Sequence, residues 1–149
     1  MLVAAITLIT TFQRGALPYH SVITNAEAIS PKPPHVEILE TKRRAFDFLR
    51  LLRNDAPKPE SIKKVNWRKS NVLVVYPGLF QRDARVKVKS VTKTGKTIHV
   101  TVDSHRGMTS ETHYPVIVLT IDKQPKGTQT TFVDLGKLSS RLKRHSSRS

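Results

Sequence analysis

The chain has 149 residues, of which 38% are hydrophobic and 6% aromatic, and it contains no cysteine. That length accommodates one core with flanking segments, and the missing cysteine excludes disulfides, thiolate metal sites and a cysteine nucleophile. A net charge of +15, from 26 Lys and Arg against 11 Asp and Glu, favours anionic partners: nucleic acid, anionic lipid or an acidic cell-wall polymer.

Met1 to Phe12 is an apolar run, too short to cross a bilayer, which takes roughly 20 residues. Its length suits the core of a signal peptide, although no Lys or Arg precedes it. Its β-branched residues from Ile6 to Phe12 suit a buried first strand equally well. The first alternative implies an exported bacterial protein, secreted or held in the envelope, and the second a cytoplasmic one. Leu17 to Ile29 has no clear period, and Ser30 to Pro34 contains three prolines that force an extended connector. Residues 1–34 are therefore read as an N-terminal segment, either a partial signal peptide or an extra strand, with the Pro-rich connector leading to the main domain.

His35 to Leu39 alternates enough for a short strand, and Thr41 is placed to cap a helix. In that helix Ala45, Phe46, Phe48, Leu49 and Leu52 recur at spacings of three and four, which predicts one broad buried face. Arg43, Arg44, Asp47, Arg50 and Arg53 face outward on the same helical wheel. The prolines of Asn54 to Pro59 end the helix. Ile62, Val65 and Trp67 follow in a basic stretch, with Trp67 expected as a core anchor.

Residues 71–121 then read as a ladder of four strands: Val72 to Tyr76, Val86 to Val91, Ile98 to Val102 and Val116 to Ile121. The first is apolar at every position, which predicts a central strand covered on both faces. The second and third alternate, so one face is buried and the other solvated. Thr92 to Lys96 joins them as a hairpin with Gly95 at positive φ. Pro77 and Gly78 break the first strand, and Pro115 opens the fourth, where a missing N–H is tolerated. Gln124 to Gly127 forms a turn, Thr130 to Val133 suits an edge strand, and residues 137–149, rich in Ser and cations, are expected to be a disordered basic tail. The expected fold is α+β and mostly β, an antiparallel sheet of about five to six strands packed by one amphipathic helix over residues 35–136.

The order of these elements, with Ala45 to Leu49, Val65 to Ser70, Val72 to Gly78, the paired segments Val86 to Val91 and Ile98 to Val102, and Tyr114 to Val118, resembles the C-terminal domain of the PrcB family. Those bacterial proteins are named after an accessory subunit of a surface protease complex. The likeness covers residues 36–133. It implies an exported, non-enzymatic domain that acts by contact with another protein, such as a protease or envelope component, and it brings no catalytic residue. Where the family carries a Gly-rich turn this chain has Gln81 to Arg85.

Loops held on a rigid sheet concentrate binding, so the Gly78 to Arg85 turn and the Asp103 to Tyr114 loop are the expected contact surface. The candidate protein-binding residues are Gln81, Arg82, Asp83, Arg85, His105 and Arg106. A second set, Lys42, Arg43, Arg44, Arg50, Arg53, Lys63, Lys64, Arg68 and Lys69, could line a phosphate backbone, which makes a basic nucleic-acid-binding protein the alternative. Base stacking needs exposed aromatics, whereas Phe46, Phe48 and Trp67 are expected to be buried. His99, His105 and His113 lack the spacing of metal ligands, and Asp103, Ser104 and His105, as strand neighbours, point apart and cannot form a relay. No catalytic, metal or cofactor site is expected.

Overall fold

The computed structural model describes residues 15–53 and 60–146. Met1 to Phe12 and Asn54 to Pro59 lie outside the described residues. Ten strands are described: β1 (Gly15–Ala16), β2 (Tyr19–Glu27), β3 (His35–Leu39), β4 (Ser70–Tyr76), β5 (Phe80–Gln81), β6 (Arg85–Thr94), β7 (Thr97–His105), β8 (Thr112–His113), β9 (Pro115–Asp122) and β10 (Gln129–Asp134). Two α-helices, α1 (Lys42–Leu49) and α2 (Leu135–Ser146), and a 3-10 turn at Glu60–Lys64 complete the described elements.

The fold is α+β and mostly β, and its long strands divide into two stacked sheets. One has the order β2-β9-β4-β3 and the other β1-β6-β7-β10, with β5 and β8 forming a small ribbon beside them. The uniform hydrophobicity of β4 follows from its place between two cores. Val72, Val74 and Tyr76 point to one side, against Ala45, Phe48, Leu52 and Ile62 of the helical layer. Leu73 and Val75 point to the other, against Val91, Ile98, Val100 and Val102 of the second sheet. The molecule is thus three layers deep: helix, sheet, sheet.

The hairpin forms as its residues dictate, with Gly95 at φ 59° in the turn between β6 and β7. Lys89 makes a bulge in β6, because Val88 pairs with Val102 and Ser90 with Thr101. The extra residue resets the alternation, so Val86, Val88 and Val91 all face the inter-sheet core. Thr41 caps α1 by accepting from the Arg44 N–H at 3.2 Å.

Several expectations are corrected. Residues 15–27 join the sheets, whose expected start is residue 35: β2 pairs along β9, and the Leu17 N–H reaches the Val91 carbonyl at 2.9 Å, so this stretch links the two sheets at one corner. The alternation there was hidden by two register irregularities, between Ser21 and Ile23 and between Ile23 and Ala26. The edge strand β10 is present but runs parallel to β7, because β9 belongs to the opposite sheet and the Gln124 to Gly127 turn carries the chain across. The expected disordered tail is helical through Ser146. Asp134 caps that helix, its Oδ1 accepting the Gly136 and Lys137 N–H groups at 3.0 and 3.2 Å, and Leu135 and Gly136 are half-buried at its start. Phe46 is 40% exposed instead of buried, since α1 turns only Ala45 and Phe48 fully inward. Trp67 is partly buried and packs against the helix-side core.

Candidate functional site

The two loops expected to act together do meet. The Asp83 carboxylate accepts the Met108 N–H at 2.9 Å and the Thr109 N–H at 3.2 Å, the Gln81 Oε1 accepts from the Gly107 N–H at 3.3 Å, and the Arg82 N–H donates to the Glu111 carbonyl at 2.9 Å. Gly107 is required at the crossing, because a Cβ there would overlap the Asp83 carboxylate and crowd the Ala84 N–H. These backbone N–H bonds, that of Met108 foremost and then that of Thr109, hold the Asp83 carboxyl below the usual aspartate range. The result is a braced platform whose tip, Met108, is 97% exposed.

Behind the platform sits a charge cluster centred on Glu27 of β2. Its Oε1 accepts from Arg82 at 2.6 Å and contacts the His113 Nδ1 at 3.1 Å, and its Oε2 lies 3.5 Å from Arg53. Burial works to raise the Glu27 pKa, but the His113 hydrogen bond and the Arg82 and His113 charges outweigh it and leave it lowered. The sequence does not reveal this cluster, because its members come from β2, the end of the α1 segment, the β5–β6 turn and β8. Glu27, Arg82, Arg85 and His113 line a crevice of about 700 Å³ where β2 and β6 part.

The six proposed protein-binding residues consequently divide by role. Asp83 is turned into the loop junction and acts as its lock. Arg82 is held by Glu27 and by Glu111, the latter at 3.4 Å, and Arg85 is exposed at the start of β6. His105 is exposed with its Nε2 3.5 Å from Asp103. Gln81 and Arg106 border a second groove of about 650 Å³ between the β5 edge and α2.

That groove is floored by Phe80, Ser104 and Gly136, with Leu79 at its rim, and walled by α2. Lys137, Ser140, Arg141 and Arg144 fall on one helical stripe at spacings of three and four. Lys137 places its Nζ 4.3 Å from the Phe80 ring centroid. Among the described residues no acidic side chain lines this groove.

Of the polyanion set, Lys42, Arg43, Arg44, Arg50, Lys63 and Lys64 lie on or next to α1 and the 3-10 turn, on the other side of the first sheet from its partner sheet, while Arg68 and Lys69 lie in the turn that leads into β4. All of these are exposed, and α1 and the 3-10 turn share the helical layer through Phe48 and Ile62. Arg53 departs from the set, being engaged by Glu27. Ser104 is buried and donates to Asp134 Oδ1 at 2.6 Å, away from Asp103 and His105. His99 Nδ1 pairs with Thr131 Oγ1 at 2.7 Å, so the three histidines have separate partners, and among the described residues no group of three metal-ligating side chains converges. No described helix is long and apolar enough to cross a membrane. Comparison with family models, curated proteins and solved structures finds no match to this chain.

Proposed function

We propose that the chain is a non-catalytic docking domain for another protein, an accessory subunit in the manner of the PrcB family that its sequence resembles, acting outside the cytoplasm. The observation that carries this reading is the brace between the two loops: one carboxylate, Asp83, collects the N–H groups of Met108 and Thr109 and so displays an apolar side chain on a pre-formed surface. Pre-organisation lowers the entropy lost on association, and a solvent-exposed Met two residues from the exposed Arg106 supplies the mixed apolar and basic chemistry common at protein interfaces.

The test is affinity capture from native extract by the full chain, followed by reconstitution with each captured protein after purification. The expected result is a stoichiometric partner whose binding falls with Met108→Glu and with Asp83→Ala. A partner bound equally by both variants, or none at all, sinks the reading.

A second reading has one observation in its favour. Phe46 is 40% exposed on α1 with the Lys42 Nζ 5.8 Å from its ring centroid, so a cation and a partly exposed aromatic ring adjoin within the basic layer, the pairing that single-stranded nucleic acid uses. Binding to an oligonucleotide that weakens steeply with salt and is lost with Phe46→Ala would favour this reading.

A further inference from the structure

The groove beside α2 has a definite chemistry. The α2 wall presents Lys137, Arg141 and Arg144 in a line and Arg106 also lines the groove, while Phe80 supplies an apolar floor with Leu79 at the rim. From Lys137 to Arg144 the helix rises about 10 Å at 1.5 Å per residue. Three to four residues of an extended chain, at roughly 3.3 Å each, cover the same distance. In such a chain alternate side chains fall on one side, about 6.6 Å apart, close to the roughly 6 Å between helical positions four apart such as Lys137 and Arg141.

We infer that this groove receives an extended acidic segment of the partner protein, with carboxylates alternating with small apolar side chains. The inference rests on the docking reading above and adds the chemistry of the partner. Charge complementarity selects an anion, since no acid among the described residues lines the groove. A second copy of this chain is a poor occupant, because each carries +15 and its acids form no run. Nucleic acid suits the floor less well than a peptide: Phe80 is 7% exposed and Lys137 lies over its ring, which leaves no open face for a base, whereas Leu79 is 49% exposed and available to an aliphatic side chain. Gln81 and Arg106 border both the groove and the braced loops, so a segment lying in the groove would continue onto the platform.

The test is fluorescence anisotropy at low salt with the full chain and three labelled probes: a peptide alternating glutamate with leucine and serine, its lysine counterpart, and single-stranded oligothymidylate. The expected result is that the glutamate peptide binds and the lysine peptide does not. Arg141→Glu weakens binding by about tenfold, Arg141→Ala weakens it by less, and Lys126→Glu, the same charge change on the exposed Gln124 to Gly127 turn, leaves it within about twofold. Arg141 is exposed in the middle of α2, and Arg141→Ala keeps a strong helix former there. The inference falls if the glutamate peptide does not bind, if Lys126→Glu weakens it as much as Arg141→Glu does, or if oligothymidylate binds more tightly and is the probe lost with Arg141→Glu. Capture of a partner through Met108 with no peptide binding would remove this inference and leave the docking reading standing.

Discussion

Gly136 and Ser104 touch so closely that a Cβ on Gly136 would overlap the Ser104 carbonyl oxygen. The first turn of α2 therefore lies directly on β7, while Asp134, two residues before Gly136, joins Ser104 Oγ to the helix N-terminus. This junction sets the groove wall. Gly136→Ala is expected to cost about 1–3 kcal/mol through overpacking and to release α2 while the sheets stay folded. Chemical denaturation reads the first effect, and loss of amide protection confined to residues 137–144 reads the second.

Asp83 braces its loops as a carboxylate, and its folded pKa is depressed. The brace is then complete above the unfolded aspartate value of about 3.9 and is lost as pH falls through the lower folded value. Hydrogen exchange at the Met108 and Thr109 amides should accelerate only at that acidic end, and in Asp83→Ala, which removes both acceptor oxygens, it should be fast at neutral pH as well. Protection that persists in Asp83→Ala would show that other bonds hold the loop.

Glu27 follows the same sign, since its folded pKa is also lowered: its contribution is present above about pH 4.3, the unfolded glutamate value, and disappears below the folded one. Glu27→Gln leaves Arg82 and His113 without their shared carboxylate and is expected to destabilise by about 1.5–3 kcal/mol at neutral pH. Urea titrations of both proteins at neutral and acidic pH should show the difference narrowing with acid.

Tyr76 is buried, and among the described residues its hydroxyl has no hydrogen-bond partner. Burial, with nearby Glu37, pushes the phenol pKa well above its ordinary value. Tyr76→Phe removes an unpaired polar atom and keeps the ring stacked on His35 at 4.6 Å, so it should be neutral or stabilise by about 1 kcal/mol. A loss of stability in thermal denaturation would reveal a partner for the hydroxyl.

The two phenylalanines of α1 should separate clearly. Phe48→Ala opens a cavity under the first sheet and is expected to cost about 3–5 kcal/mol. Phe46→Ala, at a side chain that α1 leaves 40% exposed, should cost under about 1 kcal/mol. Equal losses on denaturation would mean that Phe46 is packed.

Local chemistry alone determined the elements whose signals are short in range. Thr41 was legible as a cap, Gly95 as the left-handed turn residue, Pro115 as a strand opener, and Val72 to Val75 as a strand covered on both faces, because each depends on a backbone preference or a pattern of a few residues. The pairing of the Gln81 to Arg85 turn with the 103–114 loop was legible in outline, from their position between strands. Only the tertiary structure decided which strands share a sheet: β4 and β9 in one, β6 and β7 in the other, with β10 parallel to β7. It also recruited Glu27 to Arg53, Arg82 and His113 and laid α2 over Ser104. These depend on contacts between residues far apart in the chain, and charged or small residues such as Glu27 and Gly136 carry no local mark of the neighbour they will meet.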